Sequence, residues 1–521
     1  MLERRATLPI RSTCRAVRRR TPVFRARRYF CALPAWVLAG SLLLAGCAVG
    51  PDFEKPPAPN VSGYSAKPAS ATAATPRVAG GDAQKFVQDA DIPGDWWALF
   101  HSEPLNELIE KSLSKNPDLK SAQAALIVAK ENVLAQRGAY YPSVNAGFSA
   151  SRQRQPGTLA PVPSNNAVLY NLFTPQLSIS YVPDVFGLNR RTVESLQAQA
   201  DQARFQMIAT YTTLTSNLVV AVIQEAALQA QIDATHELVD LNAKMVDILK
   251  YQFAKGYAGG LDLAAQESQL AQVNATLPPL LKQLDQEHDL IAVLAGRFPA
   301  EAPAEKFDLA SLQLPVDLPL SLPSTLVAQR PDVRQAEANM HTASALIGVA
   351  EANRLPNIEL TANAGNTALA IDQVFNMGTS FWSIGANLTA PIFEGGKLMH
   401  QQRAAEAAYT QAAEQYRSTV LTAFQNVADA LAALEHDAEG LKAAAAALDA
   451  AKVTLDLSQR QERAGYANTL ALLNAEQAYQ QARINLVQAQ ANRYADTAAL
   501  FQALGGGWWH RSELAQEKNE N

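Results

Sequence analysis

The sequence predicts a mainly α-helical protein with a small set of β-strands, built from two internal repeats. Three observations lead to this fold class: two very long runs without helix breakers, four short stretches in which apolar and polar residues alternate, and sequence blocks that recur in the same order. The 521 residues, of which 48% are hydrophobic, are enough for two or three ordinary domains or for one elongated unit.

The two long runs predict helices of unusual length. The first extends from about Asn189 to Ala254 without a proline or glycine, and the second, from about Lys397 to Ala464, is interrupted only by Gly440. Both are rich in alanine, glutamine, leucine and glutamate, which are strong helix formers. At 1.5 Å per residue, such a helix would reach roughly 100 Å, which is too long for an ordinary globule. We therefore expect a coiled-coil or helical-barrel architecture.

Four stretches alternate between apolar residues and polar or small ones, as β-strands with two different faces do. The apolar positions are Val144, Ala146, Phe148 and Ala150; Leu177, Ile179 and Tyr181; Ile358, Leu360, Ala362 and Ala364; and Trp382, Ile384, Ala386 and Leu388. In a soluble sandwich such a face meets a second sheet, whereas in a membrane barrel it meets lipid. The pattern alone leaves both structures open.

Three sequence blocks occur twice in the same order, which indicates an internal duplication. The pairs are Asn116-Pro-Asp-Leu with Arg330-Pro-Asp-Val, Pro183-Asp-Val-Phe-Gly with Pro391-Ile-Phe-Glu-Gly, and Gly256-Tyr-Ala with Gly465-Tyr-Ala. After the last pair, leucine, glutamate and glutamine follow at matching distances in both copies. Each repeat is predicted to contain a helix, two strands and a long helical hairpin.

The N-terminus carries the pattern of a bacterial lipoprotein signal. Ten arginines and one acidic residue, Glu3, precede a short apolar stretch that ends in Leu-Leu-Leu-Ala-Gly before Cys47. This order of basic region, apolar region and small residues is typical of a cleaved signal, so we expect Cys47 to be acylated. The alternative is a membrane helix, but the apolar stretch is too short to span a bilayer comfortably. An alanine after the cysteine, rather than an aspartate, is typical of lipoproteins exported to the outer membrane.

These features divide the chain into five parts. Residues 1–46 are assigned to the signal peptide. Residues 47–95, rich in proline, alanine, serine and glycine, are interpreted as an extended, lipid-anchored tether that leads to an ordered body beginning at Trp96. The first repeat is assigned to 96–320, the second to 321–507, and a polar C-terminal tail to 508–521.

An outer-membrane location favours the barrel interpretation of the strands. Four strands cannot close a membrane barrel, because the smallest such barrels have about eight. Open strand edges are not tolerated in lipid, so several copies of the chain must share one barrel. We therefore predict a homo-oligomer, in which three chains would supply twelve strands.

The composition excludes several functional classes. Cys47 is the only cysteine after the signal, so we expect no disulfide and no thiolate metal site. Removal of the signal leaves 34 basic and 48 acidic side chains, a balance that argues against binding to nucleic acid. The seven histidines form no metal-binding motif, and no glycine-rich nucleotide loop is present in the sequence. We expect no catalytic residues, cofactor or metal, and hence no enzyme.

Six sequence motifs spread over most of the chain point to a known family. They are Cys47-Ala-Val-Gly-Pro-Asp-Phe, Trp96-Trp97-Ala-Leu-Phe, Asn116-Pro-Asp-Leu, Leu322-Pro-Ser-Thr-Leu-Val-Ala-Gln-Arg-Pro-Asp-Val-Arg, Pro391-Ile-Phe-Glu-Gly-Gly-Lys-Leu and Ala503-Leu-Gly-Gly-Gly-Trp. In this order they resemble the TolC-like outer-membrane factors of tripartite efflux pumps, in the NodT and OprM-type lipoprotein branch. The resemblance implies a homotrimer with a twelve-stranded outer-membrane β-barrel continuous with a long periplasmic α-helical barrel. It also implies two partners, a periplasmic adaptor (membrane fusion) protein and an inner-membrane efflux pump, most often of the resistance-nodulation-division class.

The two hairpin turns contain most of the candidate functional residues. By resemblance, the turns form the periplasmic tip that contacts the adaptor and constricts the closed pore. The contact residues would be Gly256, Tyr257, Leu261, Gly465, Tyr466 and Leu470. The simpler interpretation is an ordinary helical hairpin that ends at a glycine, with tyrosines that pack into a core rather than bonding neighbouring hairpins.

Two further residues have both a functional and a simpler interpretation. Three copies of Asp262 would form an acidic ring that constricts the pore, or Asp262 stabilises a helix N-terminus. The second repeat has Ala471 and Asn474 where acidic gate residues can occur, so such a ring depends on the first repeat alone. Trp382 either lies in a membrane-interface aromatic girdle or packs against a strand neighbour.

The leading functional hypothesis is a passive exit duct in the outer membrane, lipid-anchored and extending into the periplasm. The pump would supply the energy, and adaptor binding would stabilise the open state of the tips. One alternative is a coiled-coil structural lipoprotein tethered to the outer membrane. Another is an exit duct for a type I secretion or major-facilitator pump. The sequence does not indicate the exported substrate.

Overall fold

The computed structural model describes residues 48–61, 63–64, 70–154, 169–301, 307–466 and 469–515. Residues 1–46, which are predicted to form a signal peptide, and Cys47 lie outside these ranges. The helices are α1 (Glu103–Lys115), α2 (Pro117–Arg137), α3 (Leu188–Ala254), α4 (Gly260–Leu294), α5 (Pro323–Gln329), α6 (Pro331–Ala352), α7 (Lys397–Arg463), α8 (Thr469–Ala503) and α9 (Ser512–Ala515). The strands are β1 (Lys85–Gln88), β2 (Ser143–Arg154), β3 (Leu169–Tyr181), β4 (Asp317–Leu320), β5 (Asn357–Asn366) and β6 (Ser380–Thr389).

The two long runs are helices of equal length. Helices α3 and α7 have 67 residues each, and their hairpin partners α4 and α8 have 35 each. A glycine precedes each of the longest helices, Gly187 with a φ of 80° and Gly396 with a φ of 86°. Only glycine adopts this left-handed conformation at low cost. The two residues therefore determine where α3 begins after β3 and where α7 begins after β6.

The helices pack into an elongated bundle around α3. This helix contacts α2, α4, α6 and α8, and α7 contacts α6 and α8. The main core lies where α3 and α8 meet the first turns of the body, and its largest buried side chains include Trp96, Trp97, Tyr494 and Phe501. Trp96 stacks on Phe501 with ring centroids 5.1 Å apart.

Helix α3 contains one window that is apolar and long enough to cross a membrane. Two thirds of that window (67%) is buried within the chain itself. A helix whose apolar residues are already covered by its own neighbours is a core helix, so we do not interpret α3 as a membrane span.

The strands form two sheets. Strands β2, β3, β5 and β6 form an antiparallel sheet in that order, so β2 and β6 are its two edges. The register places Val144 opposite Ile179 and Ile358 opposite Leu388. The second sheet pairs β1 with β4 in parallel.

The prediction that residues 47–95 are an extended tether before an ordered body is wrong for most of the described part of that segment. Strand β1 is paired with β4, and the Gln84 side chain is fully buried. Its amide donates to Pro315 O at 3.1 Å and to Thr497 Oγ1 at 3.0 Å. The segment is ordered because distant parts of the chain supply its hydrogen-bond partners, which its composition does not reveal.

The prediction of a polar tail at 508–521 is wrong for residues 508–515. Trp508 donates from its indole nitrogen to Gln329 O at 2.7 Å and packs edge-on against Phe205. Leu514 is buried, and Arg204 donates to its carbonyl at 3.0 Å. These residues close one side of the core, whereas residues 516–521 lie outside the described ranges.

Candidate functional site

One face of the four-stranded sheet is a continuous apolar surface. The strand register brings the predicted apolar positions into common rows across all four strands. One row contains Val144, Ile179, Ala362 and Ile384, and another contains Ala146, Leu177, Ala364 and Trp382. Ile384 and Trp382 are 78% and 76% exposed in the single chain. Something outside the chain must cover this face, because so large an exposed apolar surface is unfavourable in water.

The opposite face of the same sheet is polar. One of its rows contains Asn145, Ser178, Asn363 and Ser383. Glu359 lies on this face near the beginning of β5, and its carboxylate accepts a hydrogen bond of 2.8 Å from Ser180 Oγ. Sequence reasoning did not single out Glu359, although its position between Ile358 and Leu360 placed it on the polar side of the strand.

The two hairpin tips have the same backbone geometry. Gly256 and Gly465 both adopt left-handed conformations, with φ of 77° and 78°. In each turn the next residue, Tyr257 or Tyr466, donates its backbone N–H to a carbonyl five residues earlier, at 2.8 and 2.9 Å. This arrangement is the usual glycine-ended helix terminus and explains why the Gly-Tyr pair recurs.

The predicted contact residues are exposed at these tips. Tyr257 and Tyr466 are 83% and 89% exposed, so neither packs into a core of its own subunit. Leu261 and Leu470 are also exposed. Residues 467 and 468 lie outside the described ranges. The tips therefore present aromatic and aliphatic side chains to the surroundings.

Asp262 caps the first turn of α4. One of its carboxylate oxygens accepts the backbone N–H of Gly259 at 3.3 Å, as an N-terminal acidic residue does. The side chain is exposed. In the second hairpin, Ala471 and Asn474 are exposed on the first turns of α8.

Below the tips, the long helices are joined by polar contacts that sequence reasoning missed. Gln266 of α4 donates to Asn242 Oδ1 of α3 at 2.9 Å, and both side chains are buried. Glu237 of α3 forms an ion pair with Arg483 of α8. These residues look like ordinary members of a solvated helix face until the packing is known.

Two acidic groups farther from the tips have perturbed acidity. Burial raises the pKa of Glu225, whose carboxylate lies 3.0 Å from His288 Nε2, and that hydrogen bond opposes the rise. Burial, together with the neighbouring carboxyl of Asp496, raises the pKa of Asp437 to about 7. Both groups join a long helix to its hairpin partner, so protonation changes the charge of the helix interfaces.

The segment that follows Cys47 is held by Arg191, near the beginning of α3. Its guanidinium donates to Val49 O and Gly50 O, both at 3.0 Å, and to Asp52 Oδ1 at 2.8 Å. The Arg191 side chain is only 5% exposed. The backbone at Gly50 passes so close to Gly348 of α6 that a side chain at position 50 would clash.

Within the described ranges, no group of three or more histidine, cysteine or acidic side chains is arranged to hold a metal ion. The features that could serve a function are thus surfaces: a two-faced sheet, two exposed tips and a docked N-terminal segment.

Comparison with known proteins identifies the family. The family model described as outer membrane efflux protein matches residues 108–297 and 322–506, well over half of the chain. The chain is 31% identical over 480 residues to the toluene efflux pump outer membrane protein TtgF of Pseudomonas putida, covering 90% of this chain and 96% of that protein. It is 29% identical over 420 residues to the pyoverdine export outer membrane protein OpmQ of the same species, covering 79% and 88%.

Solved structures show the same fold. The outer-membrane channel OprN matches with a TM-score of 0.77 at 25% identity, covering 89% of this chain and all of that one. The Campylobacter jejuni outer membrane channel CmeC matches with a TM-score of 0.78 at 21% identity, covering 90% and 97%. The predicted resemblance to TolC-like outer-membrane factors is confirmed, and the structural-lipoprotein alternative is set aside. The chain belongs to the outer membrane efflux protein family and is the outer-membrane channel of a tripartite efflux system.

Proposed function

We propose that the channel is a homotrimer in which three four-stranded sheets close one twelve-stranded barrel in the outer membrane. The observation that carries the proposal is a sheet with a continuous, exposed apolar face and two edge strands, β2 and β6. In lipid, the backbone groups of both edges need partners, and closure onto neighbouring copies supplies them. Three copies give twelve strands, within the range of known membrane barrels.

The long hairpins would continue this barrel into the periplasm as an α-helical barrel. The equal lengths of α3 and α7, and of α4 and α8, support an origin by internal duplication. The family match to two successive segments of similar length supports it as well. The duplication gives each chain two helical hairpins of equal length, so three chains would form an α-helical barrel of nearly uniform length.

The duct would be passive and would have no catalytic role. Its polar surfaces would serve to keep the lumen wet. The sheet face with Asn145, Ser178 and Glu359 would line the barrel. Relatives are named for the export of toluene and of pyoverdine, which differ greatly in size and polarity. We infer that substrate choice lies in the pump and the adaptor rather than in this chain.

The hairpin tips would bind the periplasmic adaptor and form the gate. The exposed Tyr257, Leu261, Tyr466 and Leu470 suit a partner with apolar grooves, and the adaptor would link them to an inner-membrane pump of the resistance-nodulation-division class. Asp262 uses one oxygen for its cap, so three copies could still present an acidic ring at the constriction.

Two features would fix the channel in its membrane. Acylation of Cys47 would place lipid chains at the end of the segment held by Arg191, beside the junction of strand and helix. Trp382 is exposed on the apolar face, two residues from the end of β6 that lies away from the helices, where an aromatic girdle would lie.

Affinity purification from native membranes after mild crosslinking, with partners identified by mass spectrometry, tests the proposal. We expect the wild-type channel to recover one adaptor and one inner-membrane pump, and L261S/L470S to lose most of both. The control is Q272S, an exposed substitution on α4 away from the tip. Recovery of envelope structural proteins without an adaptor, or equal recovery by all three proteins, would contradict the proposed tip contacts. A trimer that conducts ions in planar bilayers tests the barrel independently of the partners.

A further inference from the structure

The apolar face of β2 ends in two arginines. Side chains on this face alternate along the strand, and four apolar positions from Val144 to Ala150 are followed by Arg152 and Arg154 on the same face. Both arginines are exposed. The change from apolar to cationic therefore occurs on the lipid-facing side of the strand and not in the lumen.

These arginines lie at the end of the sheet that faces away from the helices. Helix α2 leads into β2 at Ser143, and β3 leads towards α3 after Tyr181, so the opposite ends of the two strands point away from the periplasm. From Ala150, the last apolar position of this face on β2, to Arg152 the strand rises about 7 Å, which a tilt of about 40° reduces to roughly 5 Å in height, and Arg154 lies about 5 Å higher. The arginines thus lie beyond the last apolar side chain of β2, towards the outer membrane surface.

Their neighbours do not neutralise them. Across the strand pair, Arg152 lies opposite Asn171 and Arg154 opposite Leu169. Among the residues that the structure describes, neither guanidinium has a salt-bridge partner. An arginine on the lipid face is very costly at the middle of a bilayer and costs little at its surface, where phosphates can pair with it. The two guanidinium groups, on successive positions of the same face, would therefore be stabilised by an anionic partner at this height.

We propose that Arg152 and Arg154 bind the phosphate groups of the glycolipid in the outer leaflet of the outer membrane. The planar guanidinium donates two parallel hydrogen bonds to a phosphate, which makes arginine well suited to this ligand. The charge is complementary, and the height matches the headgroup layer. The inference rests on the proposed membrane barrel, which places this face against lipid. Three copies of the pair would surround the channel with bound glycolipid.

The test compares lipid retained by wild type, R152Q/R154Q and a control, R403Q/K452Q, which removes two exposed cations from α7. Each trimer is extracted into polymer nanodiscs, and the bound phosphorylated glycolipid is counted by mass spectrometry. Binding is also measured to vesicles that contain the bisphosphorylated glycolipid or its dephosphorylated form. A basic side chain at an anionic lipid surface contributes roughly a fivefold gain in affinity. We expect R152Q/R154Q to lose about thirtyfold in affinity for the phosphorylated form, and the control to lose none.

Two results would overturn the proposal. One is equal retention of phosphorylated glycolipid by R152Q/R154Q and wild type. The other is dissociation of the R152Q/R154Q trimer in detergent with unchanged lipid per chain, which would make the arginines a contact between subunits. The conservative R152K/R154K keeps the charge without the paired hydrogen bonds, so it should retain an intermediate amount. If wild type itself were not a conducting trimer in the outer membrane, the proposed barrel would fail. The two proposals can be tested separately. If R152Q/R154Q still forms a conducting trimer, the barrel is supported, and the glycolipid that this trimer has lost or retained then tests the arginines alone.

Discussion

Arg191 should hold the segment that follows Cys47, and its replacement by methionine should release that segment without unfolding the bundle. The guanidinium bonds two backbone carbonyls of the segment, Val49 O and Gly50 O, while its own side chain is almost fully buried. Methionine keeps a stem of similar length against Gly348 but donates no hydrogen bond. Because Arg191 also pairs with Glu194 on α3 at 2.7 Å, R191M removes that pair as well, and we expect the change in residues 48–53 and at Glu194.

The size of the effect follows from the contacts. A hydrogen bond to a charged group contributes about 1.5 kcal/mol or more, so the two bonds to the partly buried carbonyls of Val49 and Gly50 amount to about 3 kcal/mol. The third bond, to Asp52, adds little because that carboxylate is 93% exposed and screened by water. A loss of about 3 kcal/mol corresponds to a rise of roughly 150-fold in the fraction of molecules with the segment undocked.

Hydrogen–deuterium exchange of the detergent-solubilised protein measures this fraction directly. The Val49 amide, which bonds Phe186 O at 3.1 Å, reports on docking and should exchange up to two orders of magnitude faster in R191M. The control is R417M, which removes an exposed arginine paired with Glu414 on α7 and should leave the segment unchanged. If exchange in R191M stays within about twofold of wild type, the Arg191 guanidinium does not hold this segment in place.

Three further predictions concern the lumen, the helix interface and the tips. E359Q should shift the reversal potential of the channel in a salt gradient towards lower cation preference, since Glu359 lies on the polar sheet face. Burial raises the pKa of Asp437 to about 7, so the folded state binds this proton more tightly than the unfolded chain. Wild-type stability should therefore decrease as the pH rises from about 4 to about 7. D437N should show a smaller difference in melting temperature between pH 5 and pH 8 than wild type does. G256V should cost about 1 kcal/mol or more because the φ of Gly256 is 77°, whereas G440A, inside α7, should stabilise by up to about 1 kcal/mol, both measured by thermal unfolding.

The long helices and the strands could be predicted because their signals are local. Absence of helix breakers predicted α3 and α7 to within one or two residues, and strict alternation predicted the two faces of the sheet. The glycines of the tips could be predicted for the same reason, since a helix terminus imposes its conformation on one residue. In each case a short stretch of sequence contains all of the physical information.

The docked N-terminal segment could not be predicted, because its order depends on residues far away in the chain. Gln84 is buried by partners at Pro315 and Thr497, and a Cβ on Gly348 would come within 2.8 Å of Val49 O. Composition describes what a segment can do alone, and a proline-rich segment alone has no core. Arg191 was missed for a related reason, since an arginine near a helix start looks like a surface residue until its partners are known.

The distribution of polar contacts along the hairpins indicates where opening costs least. Near the body, α8 packs against the segment that precedes α1 through stacked rings, Trp96 on Phe501, whose separation would expose a large apolar area. Towards the tips the polar contacts are the buried pair Gln266 with Asn242 and the partly exposed ion pair Glu237 with Arg483, groups that water can satisfy once they part. The apolar cluster there is small, with Met245, Leu249 and Leu473 as its buried members. Helices that slide past one another lose little by exchanging such bonds for water, and they lose much by uncovering aromatic rings. An adaptor bound at the exposed tips, as proposed, would therefore act at the end of the hairpins with the smaller apolar core, while the aromatic core holds the other end in place.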